Sequence, residues 1–147
     1  QCGKTGCLET AASGSAAHRI IMEKLHNGHA SLLARKLENS SDITLDEILN
    51  AALEEDVLAI EAIEEIGTNL GRAIAGLINL FNPELVVIGG QVSKVKDYIL
   101  LPIKSAVQKH SLNLINRDTR IKLSKLGEKA GTIGACMLSR SKLLGLL

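Results

Sequence analysis

Asn82-Pro83-Glu84-Leu85-Val86-Val87-Ile88-Gly89-Gly90 decides how this chain folds. Asn-Pro stops whatever helix comes before it, because proline pushes the preceding residue out of the helical region. Leu85 to Ile88 is then a short, continuous, β-branched run. That pattern predicts a strand buried on both faces, as in a parallel sheet. Gly89-Gly90 ends the strand.

Reading back from the proline, Ile63, Ile66, Leu70, Ile74, Leu77 and Phe81 recur at steps of three and four. They predict one long helix from about Val57 to Phe81 with a single buried face. Gly67, Gly71 and Gly76 each cost that helix about 1 kcal/mol relative to alanine. Such glycines imply close approach by another backbone. Packing of a neighbouring helix is one reading, and a contact surface between subunits is the other. Glu54-Glu55-Asp56 place negative charge at the helix start, where the dipole favours it. Thr44-Leu45-Asp46-Glu47 is a capping box that opens a shorter helix to about Leu53. Further upstream the chain reads as a helix from Leu8 through Leu25, a break at Asn27-Gly28, a short helix over Ala30 to Leu37, and a polar loop from Glu38 to Asp42.

Reading forward, Val92 onward is helical, with Ile99, Leu100, Ile103 and Val107 on one side. Pro102 kinks this stretch or starts a second segment. Arg120 to Leu126 is a second strand candidate, and Ala130 to Leu144 a closing helix. The order is several helices, then strand, helix, strand, helix. This is a helix-rich α/β arrangement. Two strands do not make a stable sheet alone. Residues 1–147 therefore read as a truncated part of a larger domain whose first strands lie upstream, and a chain opening on Gln1 fits that expectation.

Composition narrows the function. Hydrophobic residues make up 46% of 147, enough for a core, with Phe81 and Tyr98 the only aromatics. A net charge of +1 offers no electrostatic footprint for nucleic acid, and stacking platforms for single strands are missing. No apolar run approaches the roughly 20 residues that span a bilayer. Three cysteines, Cys2, Cys7 and Cys136, make a poor disulfide framework. They fit reduced, cytoplasmic chemistry, with metal binding as the use of the close pair. Cys136 itself reads as a small buried apolar residue. The four histidines are scattered and read as surface residues, as do Lys104, Lys109, Arg117 and Arg120.

The chemistry is concentrated in Cys2-Gly3-Lys4-Thr5-Gly6-Cys7-Leu8-Glu9. Its spacing suits a turn that folds two sulfurs toward one metal ion and aims an acid at a ligand. An ionised carboxylate is a strong acceptor for an O–H donor. Read locally, Glu9 is equally a first-turn helix acid that complements the dipole.

Cys-Gly-x-x-Gly-Cys-Leu-Glu followed by Leu-Val-Val-Ile-Gly-Gly resembles the C-terminal half of the ROK family (repressors, open reading frames and sugar kinases). Gly127-Glu-Lys-Ala-Gly-Thr-Ile-Gly-Ala135 is similar to the entry into that family's last helix. The resemblance covers essentially the whole chain. It implies the C-terminal part of an actin-like, ribonuclease-H-like ATPase fold lacking its first strands. It implies a zinc ion in the intact protein, held by one His and three Cys. Cys2 and Cys7 would be the last two thiolates, the other two ligands preceding Gln1. It makes Glu9 the acid that hydrogen-bonds a sugar hydroxyl. It places Gly89 and Gly90 in the turn that contacts adenosine in the family's kinases, where backbone approaches nucleotide closely. Many kinases carry a third glycine where this chain has Gln91, a departure that weighs against ATP binding. A tight strand-to-helix turn with Ser93 as N-cap is the alternative use of those glycines.

Two functions follow from the resemblance. One is the effector-binding and oligomerisation part of a transcriptional repressor like those responding to N-acetylglucosamine or xylose, the effector being a small sugar or sugar phosphate and DNA being contacted through an upstream helix-turn-helix. The other is the C-terminal part of an ATP-dependent sugar kinase. Gln91 and the basic-apolar tail from Ser139 to Leu147 favour the repressor. A homodimer or tetramer is expected on either reading, and no phosphoryl transfer by these residues alone.

Overall fold

The computed structural model describes residues 3, 6–38, 42–112 and 117–146. The elements in chain order are α1 (Glu9–Ala12), α2 (Gly14–His26), α3 (Ala34–Glu38), α4 (Leu45–Leu53), α5 (Val57–Phe81), β1 (Leu85–Ile88), a 3-10 turn (Gln91–Val95), α6 (Asp97–His110), β2 (Arg120–Leu123), a second 3-10 turn (Gly127–Lys129) and α7 (Ala130–Leu143). Strands β1 and β2 pair in parallel, Leu85 opposite Arg120 and Ile88 opposite Leu123, with α6 as the crossover.

Helix α5 is the axis of the core. Its Ile63, Ile66, Ile74 and Ile78 are buried, together with Ile20 and Ile21 of α2, Ile48 and Leu49 of α4, and Ile99, Ile103 and Val107 of α6. Two of its three glycines face α6. A Cβ on Gly71 would lie 2.6 Å from the Ile103 carbonyl oxygen and 2.7 Å from the Ala106 Cβ. One on Gly67 would lie 3.1 Å from the Pro102 Cβ. The glycine stripe thus serves helix packing within the chain, and Gly67 and Gly71 are not a subunit contact. Gly76 faces open space. One helix runs through Pro102, so the proline neither ends α6 nor starts another segment.

Local signals set most element ends. Thr44 and Glu47 form the expected capping box, the Thr44 Oγ1 accepting from the Glu47 N–H and the Glu47 carboxylate from the Thr44 N–H. The α4–α5 junction is a Schellman turn: the Asp56 N–H donates to the Ala51 carbonyl and the Glu55 N–H to the Ala52 carbonyl. Glu55 takes the left-handed conformation (φ 64°) that this turn requires. Asp56 then caps α5, its carboxylate accepting from the Ala59 N–H at 2.9 Å. The same buried carboxylate accepts from the Leu32 N–H at 2.6 Å and pins the loop ahead of α3. Asn82, at φ 44°, terminates α5 before Pro83.

Three expectations are corrected. The first helix is two: Ser13 leaves the helical region (φ −109°, ψ 176°) and its Oγ accepts from the Ala16 N–H, so α2 starts anew. Strand β1 is not buried on both faces. Ile88 is 7% exposed and Val86 packs on the core, whereas Leu85 and Val87 are 46% and 56% exposed. Cys136 is exposed, because α7 packs on the 3-10 turn before it and buries none of its described side chains.

Gly71→Ala is expected to destabilise the protein by about 1–3 kcal/mol, since Ile103 backbone cannot retreat as a side chain can. Urea unfolding checks this, with Gly76→Ala as the control that loses nothing. A second expectation concerns pH. The hydrogen bond from Lys36, then that from the Thr44 N–H, holds the Glu47 carboxyl down to about 2 from its ordinary 4.5. A depressed carboxyl stabilises the fold above its unfolded value and stops doing so as pH falls through its folded value. The melting-temperature advantage of wild type over Glu47→Gln should be flat above 4.5 and shrink toward 2. An advantage independent of pH would exclude this linkage.

Candidate functional site

Two described glycines near the start of the chain take a conformation that a residue without Cβ adopts easily. Gly3 and Gly6 have φ values of 76° and 80°. They deliver Cys7, a half-buried free thiol, to the start of α1. The Thr10 N–H and Oγ1 both bond the Cys7 carbonyl, at 3.1 and 2.7 Å. Glu9 occupies the first turn of α1 with its side chain exposed. Cys2 lies outside the described residues. Among the described residues no three His, Cys, Asp or Glu converge on a metal position.

A four-residue helix has no stability of its own. Two residues absent from the sequence reading hold α1 in place. The Asn69 amide, on α5, donates to the Ala11 carbonyl at 3.1 Å. The Arg19 guanidinium, on α2, reaches the Thr10 carbonyl at 3.5 Å. Neither had a local signature, because Asn69 is 58 residues from its partner. Asn69 also lines a polar groove of about 530 Å³ with Lys24, Glu61, Glu65, Thr68 and Arg72. Lys24 donates to Glu61 at 2.6 Å and lowers the carboxyl's pKa. The helix that carries Glu9 is therefore fastened to α5 through Asn69, which also lines that groove.

The second candidate stretch follows β1. Gly90 (φ 87°, ψ −176°) turns the chain into the 3-10 turn that Gln91 opens. Ser93 is not an N-cap: it lies inside that turn, its Oγ donating to the Gly90 carbonyl at 2.7 Å. Gly89 sits beside β2, where a Cβ would touch the Ser124 Cβ at 3.8 Å. Glu9 and Gly89-Gly90 are thus seated by different elements. His18 pairs with Asp42, 24 residues along the chain, and His26 and His29 bond the Met22 and Lys24 carbonyls. Lys104, Lys109, Arg117 and Arg120 are exposed.

The ROK family profile matches residues 1–142. This chain belongs to the ROK family. It is 38% identical to a glucokinase of Halalkalibacterium halodurans over 96% of this chain and 43% of that protein. It is 32% identical to the DNA-binding transcriptional dual regulator NagC of Escherichia coli over 99% of this chain and 35% of that protein. Its fold is similar to a ROK glucokinase from Streptomyces griseus solved with glucose and AMPPNP, with a TM-score of 0.81 and 31% identity over 95% of this chain and 46% of that one. The chain thus spans less than half the length of these ROK relatives, which include both enzymes and regulators. No helix among the described residues is long and apolar enough to cross a membrane.

Replacing Asn69 with alanine should free α1 without unfolding the core of this ROK chain. The expected loss is about 1 kcal/mol, that of one hydrogen bond. Amide exchange of Thr10 to Ala12 should speed up while exchange in α5 and α6 is unchanged. Uniform acceleration, or none, would remove Asn69 from this role.

Proposed function

We propose that this chain is the sugar-effector-binding portion of a ROK transcriptional regulator, within the C-terminal part of an actin-like, ribonuclease-H-like domain. The observation that carries the regulator reading is Gln91. It is the first residue of the turn after Gly90 and is exposed, putting a long side chain where a nucleotide-binding turn keeps bare backbone. In this reading Glu9 accepts a hydrogen bond from a sugar hydroxyl. Asn69 and Arg19 hold its helix, and the groove along α5 adds donors and acceptors.

Cys2 and Cys7 would serve as two zinc thiolates, with a His and a further Cys supplied upstream. Thiolates suit zinc, and a tetrahedral site needs four ligands, so these two residues do not complete one themselves. The metal's part would be structural, fixing where Glu9 points. DNA would be contacted by an upstream helix-turn-helix. A sugar shifts DNA affinity only by as much as its own affinities for the two domain arrangements differ. The reduced thiols fit a cytoplasmic protein.

The 38% identity to a glucokinase favours a second reading, the C-terminal portion of an ATP-dependent sugar kinase. There Gly89 and Gly90 would face adenosine, and an upstream Asp would act as general base on the sugar hydroxyl. Calorimetry on the full-length protein separates the two. The regulator binds a sugar among N-acetylglucosamine, glucose and xylose, loses at least about tenfold in affinity on Glu9→Gln, a loss of about 1.4 kcal/mol, and gives no response to millimolar ATP. Millimolar or tighter ATP binding with phosphate transfer to the sugar establishes the kinase instead. Sugar binding untouched by Glu9→Gln removes Glu9 from the site on both readings.

A further inference from the structure

Helix α1 carries Glu9, buries none of its residues, and has no side-chain cap at Leu8. The chain can pivot at both of its ends. Gly6, at φ 80°, leads into it. Ser13, extended at ψ 176°, separates it from α2. Helix α2 is seated independently, with Ala16, Ala17, Ile20 and Ile21 in the core. A single turn bounded in this way keeps its direction only through contacts with other elements.

Those contacts converge on the exit of α1. The last carbonyls of a helix lack a partner within it. At Thr10 and Ala11 they meet side chains of two other helices. The Asn69 amide donates to the Ala11 carbonyl at 3.1 Å. The Arg19 guanidinium stands 3.5 Å from the Thr10 carbonyl, the outer limit of a hydrogen bond, and is shared with Glu23 at 3.7 Å. Asn69 is the firmer tether and the better anchored one. It lies midway between Gly67 and Gly71, the two positions where α5 packs against α6, and so leaves α5 on the side away from α6. The close crossing fixes α5 at the level from which Asn69 reaches α1.

We propose that Asn69 is a positioning residue for the sugar contact: its amide sets the affinity at Glu9, without touching the sugar, by holding α1 in the orientation that binds. The inference rests on the reading of Glu9 as the acceptor for a sugar hydroxyl, and it holds for a regulator and a kinase alike. Only the held orientation of α1 is competent, so apparent affinity falls with the fraction of molecules in which α1 is held. The coupling is reciprocal. A sugar that favours the held orientation tightens the attachment of α1 to α5 by the same factor that the attachment contributes to binding. Helix α1 is thus the element that effector binding orders, and α5 the element that receives the change.

Calorimetry on the full-length protein with N-acetylglucosamine, glucose and xylose tests this. Asn69→Asp keeps the size of the side chain and replaces the donor with an acceptor. It should weaken sugar binding about fivefold, the effect of one hydrogen bond on the held fraction. Asn69→Ala should do the same, and it serves if the aspartate variant does not fold; thermal melts verify that the core stays intact. In a Glu9→Gln background neither substitution should weaken binding further, because Asn69 acts only through Glu9. Wild-type affinity in the folded Asn69 variants overturns the inference and leaves Glu9 in the site. A further loss of about fivefold in the Glu9→Gln background overturns it too, since Asn69 would then touch the sugar itself. Sugar binding untouched by Glu9→Gln alone instead removes the reading on which the inference rests.

Discussion

The fold depends on the crossing of α5 and α6 at Gly71, where no atom larger than hydrogen fits between the helix and the Ile103 backbone. Bare backbone at that point brings the axes near enough for Ile63, Ile66, Ile74 and Ile78 to interlock with Ile99, Ile103 and Val107. Helix α6 is also the crossover between β1 and β2, so the crossing ties the parallel pair to α5 through α6. A glycine that weakens α5 as an isolated helix therefore contributes more through the contact it permits.

Asp56 ties the other end of α5 in the same economical way. The Asp56 N–H closes the Schellman turn, and its one buried carboxylate caps α5 and holds the loop before α3. The α4–α5 corner is therefore rigid, and Leu53 and Val57 stand on it exposed. The candidate sugar contact depends on the same helix from a different side. Glu9 stands on a helix too short to hold itself, and Asn69 of α5 fastens that helix through one amide. Helix α5 is thus the common support of the core and of the helix that carries Glu9.

Much of the architecture was legible from local chemistry. Asn82-Pro83, the Thr44–Glu47 box and the spacing of isoleucines in α5 marked their elements closely, because capping, proline sterics and amphipathic period are short-range effects. The failures have physical reasons too. The stretch 8–25 has unbroken helical composition, and only the Ser13 hydroxyl, satisfying an N–H three residues on, splits it. A continuous apolar strand reads as buried on both faces whether or not both are covered, and Leu85 and Val87 are exposed in this chain. Cys136 followed the average burial of its residue type, yet the helix that carries it is exposed along its length.

Residue order alone determined the element sequence, the turn glycines at positions 3, 6 and 90, and the thiol-and-acid motif that places this chain in the ROK family, since these are properties of neighbouring residues. Tertiary structure alone decided that Gly71 serves packing inside the chain, that Asn69 fastens the helix bearing Glu9, and that Asp56 holds the loop before α3. Each of those facts joins residues far apart along the chain. No local preference encodes such a meeting; it exists only once burial of the isoleucine core has brought the helices together.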